Sequence, residues 1–123
     1  MKNHSLRGTK GAEVTDLLIQ SATDIYSPKR RFSAFYKTDI DQTLRLFGAD
    51  TVVLCGIATH WCVLSSAFDA LSNDFRVVIL EDCCASFSRE MHESCLDIYR
   101  ESPLQPLLCV MKLDAFLAKM EGE

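Results

Sequence analysis

No apolar run in these 123 residues approaches the ~18 that cross a bilayer. The first ten residues, Met1 to Lys10, are polar, so a signal peptide is not expected. Positive charge is scarce. Thirteen Lys and Arg stand against 17 Asp and Glu, for a net charge of −4. That balance argues against nucleic acid or an anionic membrane as a partner. Neither a pair of C-x-x-C units nor a single C-x-x-C is present, which disfavours a structural zinc site and dithiol redox chemistry. Internal repeats and low-complexity linkers are also missing, so the chain reads as one domain over residues 1–123.

Six cysteines are there, yet a disulfide scaffold is not expected. The chain is 48% hydrophobic, enough to bury a core without covalent staples. Cys55 and Cys109 lie in apolar strand-like runs and Cys95 in an amphipathic pattern, so all three read as buried thiols. Cys83 and Cys84 are adjacent and pair poorly with each other. A reduced, cytoplasmic protein is the expectation.

Helical and strand patterns alternate. Ala12 to Gln20 reads as a short helix, and Asp24 to Pro28 as a short strand leading to Lys29. Asp39 to Phe47 is a helix pattern with Ile40, Leu44 and Phe47 on one stripe, Thr38 as its cap and Gly48 as its stop. Thr51 to Ile57 and Phe75 to Leu80 read as buried strands, and Pro106 to Met111 as a last one. Between and after them lie helix patterns at His60 to Ser72, Ser88 to Arg100 and Leu113 to Met120. Val63, Leu64, Ala67, Phe68 and Leu71 face inward on the first of these, and Met91, Cys95 and Ile98 on the second. Strands apolar throughout and separated by helices indicate an α/β fold with a parallel sheet covered on both faces. Ligands of such sheets bind at the carboxyl ends of the strands.

The most informative stretch is Cys55-Gly-Ile-Ala-Thr-His-Trp-Cys-Val63. A strand pattern ends at a glycine turn, and a helix pattern starts at once. Cys62 falls in the first helical turn, with Thr59 as the expected cap. Helix starts carry partial positive charge and unpaired N–H groups, and a thiol there tends toward the thiolate that attacks carbonyl carbon. His60 is two residues from Cys62, so on a helix their side chains diverge by about 200°, which argues against a Cys/His dyad.

Three segments together carry a resemblance. His4 to Glu13 fits H-x-x-x-G-T-x-G-A-E. Lys29-Arg-Arg-Phe-Ser-Ala-Phe35 with Thr38-Asp39 fits K-x-R-[YF]-S-[AG]-F…T-D-L. Gly56 to Val63, with Ala67 and Asp69-Ala70, fits G-[VI]-x-T-x-x-C-V…T-A-x-D-A. In this order and spacing the chain resembles the isochorismatase-like cysteine hydrolases, which include nicotinamidases.

The resemblance implies a three-layer α/β/α sandwich around a mostly parallel sheet, and an Asp–Lys–Cys triad. Cys62 matches the nucleophile and Lys29 the lysine, although a lysine in a basic triplet is otherwise an ordinary surface charge. The backbone N–H groups of Ala58 and Cys62 match the oxyanion hole, and Ile57–Ala58 a non-proline cis peptide. Phe32, Phe35, His60 and Trp61 are candidates for the substrate pocket, though for the two phenylalanines core packing is an equal alternative. His4 matches a metal ligand of the nicotinamidase branch. Its D-x-H companions are not found, so neither metal nor cofactor is expected. The triad aspartate belongs to an upstream D-x-Q segment that is also not found, so the chain is read as the C-terminal two-thirds of the domain. Neither Asp16 nor Asp24 is a convincing substitute. For Asp69 and Asp82, helix-surface charge and strand-end cap are the preferred readings.

The implied activity is cleavage of a small amide or related C–N bond through a Cys62 acyl-enzyme. The cysteine favours this over isochorismate, a vinyl ether. The alternative is a non-catalytic, degenerate scaffold relative. Family members are usually oligomers, so a homo-oligomer is expected.

Overall fold

The computed structural model describes residues 4–122. Met1 to Asn3, which belong to the polar start noted above, lie outside the described residues. Three strands, β1 (Thr51–Ile57), β2 (Arg76–Ala85) and β3 (Leu108–Met111), form one sheet in the order β1-β2-β3. Both pairings are parallel, with Val52 beside Val77 and Val77 beside Leu108. The helices are α1 (Ile40–Leu46), α2 (Leu64–Ser72), α3 (Arg89–Arg100) and α4 (Leu113–Glu121). No helix among the described residues is long and apolar enough to cross a membrane. The fold is the expected α/β class, a parallel sheet flanked by helices.

The core gathers where the helices meet the sheet. Val77, Ile79, Leu96, Leu108, Ala67 and Ala70 are almost wholly removed from water. Phe68 of α2 meets Tyr99 of α3 edge to face at 5.7 Å, which ties the two helices together. Ser88 starts α3 by accepting a bond from the Met91 N–H at 3.1 Å. Gly48 ends α1 with φ of +67°, a conformation other residues adopt at a cost.

Several expectations are corrected. Ala12 to Gln20 is not a helix; a 3₁₀ turn over Lys10–Ala12 is followed by irregular chain. Leu17 and Ile19 are 91% and 100% exposed, so the segment buries no face that could offset the entropy of helix formation. Residues 24–28 form no strand and join no sheet among the described residues. β1 is an edge rather than a buried strand, which leaves Ile57 75% exposed and Cys55 exposed. On α3, Met91 and Ile98 face water; the buried residue is Leu96, with Cys95 and Tyr99 packed around it. Phe68 of α2 is half-exposed. Thr38 turns back to donate to the Ala34 carbonyl at 2.5 Å, and Asp39 occupies the cap position of α1.

β2 also runs longer than expected and carries a bulge. Leu54 pairs with Ile79, but Gly56 pairs with Cys84, so two steps along β1 oppose five along β2. The extra residues are put to use. Asp82 lies inside β2 rather than at its end, and its carboxylate accepts from the Leu113 N–H at 2.9 Å at the start of α4. Glu81 meets Arg100 at 2.7 Å, and Arg100 also binds Glu93 and Asp97. Beyond the bulge the strand returns to flank the turn that follows β1.

Candidate active site

β1 delivers the chain to a tight turn. Gly56 has φ of +123°, open only to glycine at low cost, and the Ile57–Ala58 peptide is cis, as the resemblance implies. One π-helical turn, Thr59–Val63, follows and leads into α2. The wide turn replaces the ordinary α-helical start expected at His60. Trp61 and Val63 both donate to the Ala58 carbonyl, at 3.0 and 3.3 Å. The Ala58 N–H has no backbone acceptor among the described residues, and the Cys62 N–H has none outside the turn itself.

Thr59 is not the cap of this turn. Its hydroxyl makes no capping bond; the fully buried Thr59 instead pairs with His92 Nδ1 of α3 at 2.8 Å. His60 Nδ1 pairs with the Ser86 hydroxyl at 2.9 Å, in the segment between β2 and α3. His60 is thus engaged away from the thiol, in accord with the argument against a dyad.

Lys29 reaches Cys62 from 33 residues earlier. Its Nζ lies 3.5 Å from Cys62 Sγ and donates to the Arg31 carbonyl at 2.7 Å. The segment after it is anchored on α2, where the buried Ser66 hydroxyl accepts from the Ala34 N–H at 2.9 Å. This anchor explains why a lysine in an irregular, exposed stretch can hold a defined place. Ser66 was not singled out in the sequence; its only signal was a hydroxyl on the inward face of α2.

Trp61, next to Cys62 in the chain, belongs to a cluster of aromatic side chains. Phe32 lies 5.7 Å from Trp61, and Phe87 packs edge-on against Trp61 at 5.0 Å and His60 at 5.6 Å. Phe35 instead packs on Phe75 at 6.1 Å and joins the core. Phe87 was missed, because a lone aromatic in the loop between β2 and α3 carries no periodic signal. His4 bonds only to its neighbour Ser5, and no His, Cys, Asp or Glu cluster suited to a metal occurs among the described residues. No carboxylate is ion-paired with Lys29 among the described residues.

Three other cysteines, Cys83, Cys84 and Cys95, are perturbed by their surroundings. Burial, with the neighbouring Cys55, Cys83 and Cys95 thiols adding to it, pushes Cys84 up to about 11 against a weaker opposing bond from the Gly56 N–H. Burial also raises Cys83, helped by Asp82, and raises Cys95. A cleft of about 810 Å³ is lined by Glu81, Asp82, Arg89, His92 and Lys112 among others; Lys29 and Cys62 lie outside its lining.

A lysine from a distant irregular segment thus meets a cysteine on a strand-to-helix turn. Residues 1–106 match the isochorismatase domain family, and the chain belongs to that family. It is 44% identical over 75 residues to the uncharacterized isochorismatase family protein YecD of Escherichia coli O157:H7, covering 61% of this chain and 40% of that one. An isochorismatase-like hydrolase from Alkaliphilus metalliredigens superposes with a TM-score of 0.86 at 37% identity, over 96% of this chain and 62% of that one. An N-carbamoylsarcosine amidase from Thermoplasma acidophilum gives 0.75 at 32% identity, over 89% and 60%. The chain therefore spans about 40% of the curated relative and about 60% of these solved structures.

Proposed function

We propose that the chain carries the nucleophilic half of a cysteine amidohydrolase site acting on a small amide or related C–N bond. The observation that carries this reading is the 3.5 Å contact between Lys29 Nζ and Cys62 Sγ at the turn. The sulfur attacks the carbonyl carbon, and the oxygen takes up negative charge. The N–H groups of Ala58 and Cys62 donate to that oxygen, each worth about 3 kcal/mol in such sites. The Lys29 ammonium faces the charge passing through sulfur. The C–N bond then breaks, the amine leaves with a proton, and water releases the acid from the thioester. Phe32, Trp61, His60 and Phe87 border the space that the acyl group enters.

The step without a partner is acceptance of the thiol proton, since no described carboxylate pairs with Lys29. A general base is typically worth 10²–10⁴-fold in rate. This chain by itself is therefore expected to turn over slowly. The same observation favours a second reading, a non-catalytic scaffold that retains the thiol. The test is ammonia release from nicotinamide, maleamate and N-carbamoylsarcosine, with Cys62→Ala and Lys29→Met alongside. Release that depends on both residues supports the hydrolase; release unchanged by either substitution, or none from any amide, supports the scaffold.

A further inference from the structure

We propose that His92 is a positioning residue: the segment from Ser86 to His92 clamps the turn that presents Cys62 and its oxyanion donors. This inference rests on the hydrolase reading and adds a part to it. Two successive residues of the turn are held from one side. Thr59 is held by His92 Nδ1 at 2.8 Å, and His60 by the Ser86 hydroxyl at 2.9 Å. The two anchors flank Ser88, the residue that caps α3 through the Met91 N–H. The clamp therefore stands on the start of a 12-residue helix whose Leu96 is fully buried in the core.

The turn needs such support. Thr59 is fully buried, and its hydroxyl gives up the usual capping role in favour of His92. No side chain caps the turn; Trp61 and Val63 donate to the Ala58 carbonyl, and the Leu64 N–H returns to the Thr59 and Trp61 carbonyls. A π-helical turn is also wider and less regular than an α-helical one, so its N–H directions depend on what holds it from outside. An oxyanion site requires donors fixed to within about half an ångström. His92 fixes them through Thr59, one residue after Ala58 and three before Cys62. Its ring bonds Thr59 and not Cys62, so its role is indirect.

The proposal separates two reactions of the same sulfur. With p-nitrophenyl acetate, sulfur attacks the carbonyl, the C–S bond forms, the C–O bond breaks, p-nitrophenolate leaves and the thiol proton passes to solvent. That step needs the N–H donors. With iodoacetamide, sulfur displaces iodide at a saturated carbon and no oxyanion forms. In the full 123-residue chain, His92→Leu should slow Cys62 acetylation by at least about tenfold, part of the 10²–10³-fold that follows loss of a whole donor. Alkylation of Cys62 should stay within about twofold. His92→Asn, whose amide nitrogen sits near the place of Nδ1, should restore acetylation. Thr59→Val, which removes the hydroxyl and keeps the shape, should reproduce the Leu effect even if His92→Leu folds poorly.

Equal loss in both reactions, or loss in neither, overturns the clamp. Failure of wild-type Cys62 to acetylate faster than Cys109 overturns the hydrolase reading itself, and the clamp with it. Hydrogen exchange over residues 55–64 distinguishes these cases without chemistry. Faster exchange in His92→Leu and Thr59→Val but not in His92→Asn supports the clamp, and unchanged exchange overturns it.

Discussion

Cys84 should react with iodoacetamide at pH 8 about 100-fold more slowly than a free thiol. Burial on β2 is the main cause, raising the thiol from its ordinary 9.0 to about 11. Only the thiolate reacts, and a rise of two units leaves about 100-fold less of it at a pH below both values. Restricted access to the half-buried sulfur slows it further. The assay is timed alkylation of the native chain, with each cysteine followed by peptide mass spectrometry and glutathione as reference. Cys83 and Cys95, both raised, should also lag the reference. The same shift has a consequence for stability. Folding holds the Cys84 thiol neutral, so its contribution is fully present below pH 9 and is lost as pH rises through 11. Melting curves from pH 8 to 11 should fall less steeply in Cys84→Ala than in the wild type. Alkylation of Cys84 at the glutathione rate, or identical alkaline slopes, would refute the reasoning.

Three further outcomes follow from the packing. Leu96→Ala, at a fully buried site, should cost about 3 kcal/mol and about 12 °C in Tm, whereas Ile98→Ala on the same helix, 68% exposed, should cost under about 0.5 kcal/mol; thermal or urea melts check both. Ser88→Ala removes the cap of α3 and should cost about 1 kcal/mol in the same assay. The free edge of β1 carries no charge or proline over Thr51–Ile57 and leaves Val53 and Ile57 exposed, so light scattering should give a mass above the 13.8 kDa of one chain. A monodisperse monomer would contradict that expectation.

The sheet and its helices were legible because period and punctuation agreed there. Thr51–Ile57 is apolar and β-branched with Gly56 near its end, and Ser88 opens a helical pattern. What failed was local inference without a partner in view. Ala12–Gln20 has an amphipathic rhythm, but the described structure offers it no surface to bury against. On α3 the Met91–Ile98 stripe looked as apolar as the true one, and only the place of the sheet shows that Leu96 points inward. At the site, Cys62, Lys29 and the cis Ile57–Ala58 turn followed from motif resemblance. The roles of Thr59, His92, Ser86, Phe87 and Ser66 did not, because each depends on a contact from a distant segment. The hydroxyl of Thr59 could cap its own turn or reach across to α3, and the sequence pattern is the same for both.

A nucleophilic Cys62 would pass through an acyl-enzyme, which can be sought directly. The chain is mixed with an amide that it hydrolyses, or with p-nitrophenyl acetate, quenched in acid, digested and read by peptide mass spectrometry. An acyl adduct is expected on the peptide containing Cys62, released by hydroxylamine as a thioester is, and diminished in Lys29→Met. Acylation spread evenly over the six cysteines, or confined to a residue other than Cys62, would contradict it.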